Sequence, residues 1–308
     1  MSEGRRFTRK KSIKNWREYN EGLKRRYDVT VHINPEVLKK PPKIKWQRGR
    51  PREYSQALIE MALVVKAVYR LPYRGLEGFL RSLLGANERL PDYTTICVRS
   101  ATVDAVLKVL KRGEKVHLVV DTTGLKVYGE GEWKVRQHGA SKRRTWRKLH
   151  LGIDEATQDI VAVDLTENSV GDQEHLPELL NKTPQNMRLK QVSADGIYDS
   201  HACYETVHER GARLVTPPRK NAVLPRGRPP QNEPPRTQAI RDCKRRGRTA
   251  WKKHHRYHRR SLAETGMYRF KITFGGTLAS RSFPRQKTEA ILKAKTLNTF
   301  RRLASPVY

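Results

Sequence analysis

The sequence predicts an α/β protein: a mixed β-sheet flanked by helices, preceded by an all-α module. Three observations carry this. Apolar residues recur at helical spacing up to about residue 84, the period becomes that of strands from Lys115, and strands and helices then alternate.

The chain has 308 residues and a formal net charge of +33, from 64 Lys and Arg against 31 Asp and Glu. Such an excess points to a polyanionic partner, DNA or RNA or an anionic membrane surface. The charge runs through segments that also carry apolar periodicity, so basic tails alone do not account for it. Cys97, Cys203 and Cys243 are scattered and form no CxxC pair. A disulfide framework or structural zinc site is therefore not expected, and a reducing cytoplasmic location is. The basic N-terminus leads into no apolar stretch, and the longest apolar run, "MALVVKAV", is broken by Lys66. No secretory signal, membrane span or membrane partner is expected.

Residues 1–52 are basic and punctuated by prolines ("NPEVLKKPPKIKWQRGRPR"), which predicts a loosely packed arm with one short helix near Trp16–Arg26. Residues 53–113 form a predicted helical DNA-binding domain. Ala57, Met61, Val64, Val65 and Val68 share one helical face, and Pro72 and Gly75 interrupt the pattern. Leu76, Phe79, Leu80 and Leu83 mark a second helix, and Asp92 or Thr94 can cap a third. Three short helices with a tight turn suggest a helix-turn-helix-like module.

Residues 114–300 form the predicted α/β domain. "KVHLVVDTTGLKVYGEG" reads as a strand, a turn at Gly124 and a second strand; "TWRKLHLGIDEATQDIVAVDLT" reads as two strands about a turn at "DEATQ". "DQEHLPELLNK" is a short helix, "LKQVSADG" a strand, "SHACYETVHERGA" a helix ending at Gly211, and "RLVTPP" a last strand. Residues 217–236 hold seven of the 17 prolines and read as a surface loop. The next helix is placed to begin near Trp251, and "QKTEAILKAKTLNTF" gives one more. Strands first, then helix, strand, helix, strand and a late helix, is the element order of a ribonuclease H-like fold.

Two strands end alike, "HLVVD" at Asp121 and "QVSAD" at Asp195. Acids at the C-terminal edge of neighbouring strands converge where ligands bind in α/β folds. A third strand ends at Asp154, but "DEATQ" has the chemistry of a turn, so that acid is read as structural. A further acid, Glu264, sits alone in a basic stretch. On a helix, Tyr257, Arg260, Glu264 and Lys271 fall within about 60° of one another, with Leu262, Ala263, Gly266, Phe270 and Thr273 opposite.

The stretches "VVDTTGLKVYGEGEWKVRQHG", "SKRRTWRKLHLGID", "SADGIYDS" and "YHRRSLAETGMYRFK" resemble the transposases of bacterial insertion sequences, nearest the insertion-sequence family number five, a branch of the DDE transposases. The family signature of Tyr, two residues, Arg, three residues, Glu, six residues, Lys is met by Tyr257, Arg260, Glu264 and Lys271, and the likeness runs from about Asn15 to about Asn298.

The resemblance implies that Asp121, Asp195 and Glu264 form a catalytic and metal-binding triad. The expected cofactor is a pair of Mg²⁺ ions, with Mn²⁺ able to substitute. Hard cations of this kind take carboxylate, water and phosphate oxygens, and pairs of them serve phosphodiester cleavage. Asp121 is expected to serve both ions, and Asp195 and Glu264 one each. The expected activity is cut-and-paste transposition: terminal inverted repeats are bound, strands are cut, and the 3′-OH ends are joined to target DNA. The expected partners are double-stranded DNA and a second protomer, since two element ends are cut together. Tyr257, Arg260, Lys271, Arg99 and the basic cluster of Lys142, Arg143 and Arg144 are the candidate DNA contacts. The family's third helix ends in Ser-Arg-Arg where this chain has "CVR", Cys97 to Arg99. Stand-alone nuclease, non-catalytic repressor and RNA-packaging readings stay open at this point. The nuclease would lack the helical module, the repressor would lack an acid, and the packaging protein explains charge but not the strand-end acids.

Overall fold

The structure, a computed structural model, describes residues 12–39, 53–85, 89–103, 107, 115–128, 145–184, 186–225 and 233–307. Lys142, Arg143 and Arg144 lie outside these.

The sheet is built of β1 (Val116–Tyr128), β2 (Thr145–Asp154), β3 (Ile160–Glu167), β4 (Leu189–Ser193) and β5 (Arg213–Val215). Its order is β3-β2-β1-β4-β5. The first three strands form an antiparallel meander, and β4 and β5 add in parallel on the far side of β1. This is the ribonuclease H-like arrangement. The turn expected at Gly124 does not form: Gly124 pairs with Lys148 and the strand continues. Burial decides this, because Leu125 and its neighbour Leu149 are both fully enclosed and a turn would withdraw Leu125 from the core. The hairpin at "DEATQ" does form, with Asp154 accepting from the Ala156 N–H at 3.0 Å and the Thr157 hydroxyl at 2.7 Å.

Alternation along the strands feeds two cores. Leu118 and Val120 pack with α6 (Leu176–Asn181) and α7 (His201–Glu209). Leu125, Leu149, Leu151 and Ile153 pack on the other face with α10 (Ser261–Phe274) and α11 (Phe283–Leu303). The α10 face that meets the sheet consists of Ala263, Met267, Phe270 and Phe274, with Gly266 set directly against Ile153.

Before the sheet come α1 (Trp16–Arg25), α2 (Val29–His32), α3 (Gln56–Tyr69), α4 (Tyr73–Leu84) and α5 (Tyr93–Arg99). Ser55 caps α3 through the Leu58 N–H at 3.0 Å, and Asp92, rather than Thr94, caps α5 through the Thr95 N–H at 2.7 Å. The α3–α5 core closes over Leu292 of α11. Part of the expected loose arm is in fact docked. Arg26 donates to the Phe300 carbonyl at 2.9 Å, and Lys14 N–H to Val307 O at 2.7 Å. The cause is a partner distant in sequence, the C-terminal end of α11.

The region after the last strand also differs from expectation. Helix α8 (Pro235–Arg246) begins inside the proline-rich segment, with Pro in its first turn, where no N–H is needed. Helix α9 (Arg248–His254) follows, then a 3₁₀ turn over Tyr257–Arg260, and only then α10. Arg256 adopts the left-handed conformation, φ 51°, which separates α9 from that turn. Tyr257 therefore does not share a helix with Glu264, and Arg260 sits at the helix entrance. Among the described residues no helix is long and apolar enough to cross a membrane.

Candidate active site

Parallel pairing between β1 and β4 ends at Val119 opposite Ser193. Asp121 and Asp195 each lie two residues beyond that last pair, so the register delivers both acids to the same place at the end of the parallel ladder. Asp121 remains inside β1, opposite Leu151 of the antiparallel neighbour. The strand does not end at Asp121, as the sequence suggests; what ends there is its pairing to β4. Asp195 caps a 3₁₀ turn, Gly196–Tyr198, by accepting from the Ile197 N–H at 2.9 Å, and its own carbonyl accepts from the Thr216 hydroxyl.

Glu264 arrives from the first turn of α10 with a side chain 57% exposed. Arg260 links Glu264 to Asp121. One guanidinium nitrogen lies 3.6 Å from Asp121 Oδ2 and another is ion-paired with Glu264. Burial raises the pKa of Asp121; the neighbouring Asp195 and Glu264 carboxylates add to the rise, and the Thr122 N–H and Arg260 oppose it. Burial likewise raises Asp195, against the Ile197 N–H and Arg260. Two half-desolvated carboxylates with raised pKa values, and Glu264 linked to Asp121 through Arg260, offer oxygen donors of the kind a divalent hard cation takes. They are not drawn together as a closed cage: among the described residues the acid and histidine ligand atoms that lie within 4.8 Å of one another are those of Asp164, His175 and Glu178.

The other candidates fall at varied places. Tyr257 packs beside Val215, Cys243 and Trp251 with the Lys252 ammonium 5.5 Å over its ring, so its ring is committed to packing. Lys271 is half-buried two turns along α10 from Glu264. Arg99 is held within the helical module, donating to the Tyr54 carbonyl at 2.7 Å and to Gln56 Oε1 at 3.0 Å. The cation read as a DNA contact thus fastens α5 to the start of α3.

Sequence reasoning missed the support beneath the acids. The Thr122 hydroxyl, next to Asp121, is hydrogen-bonded to Tyr198 Oη at 3.0 Å and to His150 Nδ1 at 2.9 Å. It therefore ties the strand of Asp121 to the turn capped by Asp195. His150 continues to the Thr166 hydroxyl at 2.8 Å. Beyond it, His175 lies between Asp164 at 3.1 Å and Glu178 at 3.4 Å, with Lys287 3.6 Å from Asp164. This acid–histidine group is distinct from the triad, with Lys287 as the cation beside Asp164. Below Asp195, Asp199 is fully enclosed and accepts from Arg236 Nε at 2.8 Å and from the Arg219 N–H at 2.7 Å. Those two arginines fasten both ends of the proline-rich segment to the turn after Asp195. The doubled Thr after Asp121 was the only sequence signal for any of this.

A family model described as a transposase DDE domain matches residues 112–299, and a second model of the same description matches residues 24–130. Among solved structures, the chain is similar to a piggyBac transposase in a synaptic complex with hairpin DNA, determined by cryo-EM. The identity is 9%, the match covers 94% of this chain and 72% of that one, and the TM-score is 0.37.

Proposed function

Since the chain belongs to the transposase DDE-domain family, we propose that Asp121, Asp195 and Glu264 are the acids with which it cuts DNA at terminal inverted repeats and joins the 3′-OH ends to target DNA. The observation that supports this reading is the shared register of Asp121 and Asp195 at the end of the β1–β4 ladder, with Glu264 linked to Asp121 through Arg260.

The three carboxylates would hold two Mg²⁺ ions, with Mn²⁺ able to substitute, which supply Lewis-acid activation of the attacking hydroxyl and neutralise phosphate charge. The residues of the chain do the rest. Asp121 and Asp195 bind a cation in their ionised form, and the cation offsets the desolvation that raises their pKa values. Arg260 exchanges carboxylate partners for a DNA phosphate, which matches a planar guanidinium equally well. Lys271 offers a second cation along the same helix. Tyr257, wedged beside Trp251, fixes the 3₁₀ turn that aims Arg260. The helical module contributes end recognition, with Arg99 stabilising it from within. A dimer on DNA cuts the two ends together.

The test is cleavage of a plasmid carrying the DNA that flanks the gene, with Mg²⁺ or Mn²⁺. We expect nicks at defined ends that vanish without metal and in Asp121→Asn and Glu264→Gln, while both variants still bind those ends. Retained cleavage in either variant removes that acid from the triad. Specific binding without cleavage by the unaltered protein turns the reading into that of a repressor.

A further inference from the structure

Consecutive residues Arg259 and Arg260 face different stretches of β1, its start and its middle. Arg260 joins the acids, whereas Arg259 is ion-paired with Glu155. Glu155 in turn lies 3.5 Å from His117, and His117 occupies the same face of β1 as Asp121 by the two-residue period. Around His117, Glu155 and Arg259 opens a cleft of about 490 Å³. It is bounded by the starts of β1, β4 and β5 and by the segment between α9 and α10.

The cleft is strongly basic. Lys115, Lys190, Arg213, Arg256 and Arg259 line it against two carboxylates, Asp154 and Glu155. Both carboxylates are already committed, Asp154 to its turn and Glu155 to Arg259. Lys115, Lys190 and Arg256 are exposed and make no ion pair among the described residues. Arg256 also holds a left-handed backbone, φ 51°, which a non-glycine residue keeps only where its surroundings impose it. That conformation turns the chain so that its own side chain lines the cleft while Arg260, four residues on, reaches the acids.

We propose that this cleft is a second DNA-backbone site, which grips the same duplex away from the bond that is cut. The inference rests on the DNA-cutting reading above. Four strand residues separate His117 from Asp121, about 13 Å at ~3.3 Å per residue, or roughly four base-pair steps at 3.4 Å. One duplex can thus lie across both. The unpaired cations are exposed and carried on long side chains, which suits a backbone of repeated phosphates better than a single enclosed anion.

The test is salt-dependent binding of a random-sequence DNA duplex without metal, measured by fluorescence anisotropy. The cleft variant carries Lys115→Gln, Lys190→Gln and Arg256→Gln. A control of equal charge carries Lys24→Gln, Lys39→Gln and Lys182→Gln on other elements. We expect the slope of log affinity against log salt to fall by two to three in the cleft variant, about 0.9 for each phosphate no longer neutralised, and by less than one in the control. Equal slopes in the two variants, or an unchanged slope in the cleft variant, overturn the proposal. Asp121→Asn leaves the cleft whole and is expected to keep the full slope while losing cleavage, so failure at the acids and failure at the cleft are separate results. Absence of DNA binding by the unaltered protein sinks the DNA-cutting reading and the cleft with it.

Discussion

Arg260 holds Asp121 at 3.6 Å from the entrance of a helix whose next turn carries Glu264. A single guanidinium thus links two carboxylates that repel each other, Asp121 and Glu264.

Removing it should have opposite effects on stability and on cation binding. In Arg260→Gln the metal-free protein is expected to lose up to about 1 kcal/mol, the worth of partly exposed ion pairs. Its affinity for Mn²⁺ should rise, because a competing cation is gone. Thermal unfolding with and without Mn²⁺ reads both, and a variant with unchanged stability and unchanged Mn²⁺ affinity refutes this role.

The spacing of Asp121 and Asp195 depends on the Thr122 hydroxyl, through Tyr198. Thr122→Val keeps the shape and leaves Tyr198 Oη and His150 Nδ1 without that partner. We expect a loss of about 1–3 kcal/mol and weaker Mn²⁺ binding. Thr122→Ser should recover both, which a purely volumetric role for Thr122 does not predict.

Burial, with the His175 ring beside it, pushes His150 down to about 4. Its ordinary value lies near 6.5, so between those two pH values the unfolded chain binds the extra proton and the folded chain does not. Stability is therefore expected to be full above pH 6.5 and to fall as pH drops from about 6.5 to about 4, by up to about 3 kcal/mol from this residue. Urea unfolding of His150→Gln across that range should show a shallower decline. An identical decline assigns the pH dependence to other groups.

Gly266 lets α10 lie close on β2. A Cβ there meets the Ile153 side chain, so Gly266→Ala forces Ile153 aside. We expect a cost of about 1–3 kcal/mol, partly recovered by adding Ile153→Val. Stability measured for the single and double variants checks this, and additive losses refute the close approach.

Much of the fold was legible wherever local chemistry and burial agree. The "DEATQ" hairpin and the Asp92 cap both follow from residues within a few positions of one another. Gly124 misled because a lone glycine after two threonines has turn chemistry, and only the burial of Leu125 against distant residues keeps the strand going. The break at Arg256 was invisible, since arginine carries no helix-breaking signal and its conformation is imposed by what surrounds it. The docking of α1 needed knowledge of the far end of the chain. For the acids, the two strand-end motifs and the family resemblance carried the reading, but the reason Asp121 and Asp195 share a place, a ladder that stops at Val119 and Ser193, lies in a pairing that no single segment contains.

The edge of the sheet is closed by a residue near the end of the chain. Asn298 of α11 donates to the Ile160 carbonyl and accepts from the Ile160 N–H, both at 2.8 Å, in the manner of a missing strand. During synthesis on the ribosome the meander emerges long before Asn298 does, and Glu264 comes late as well. A nascent or prematurely terminated polypeptide thus has an open edge and an incomplete set of acids. Under the reading proposed above, cutting DNA waits on the synthesis of α10, which carries Glu264.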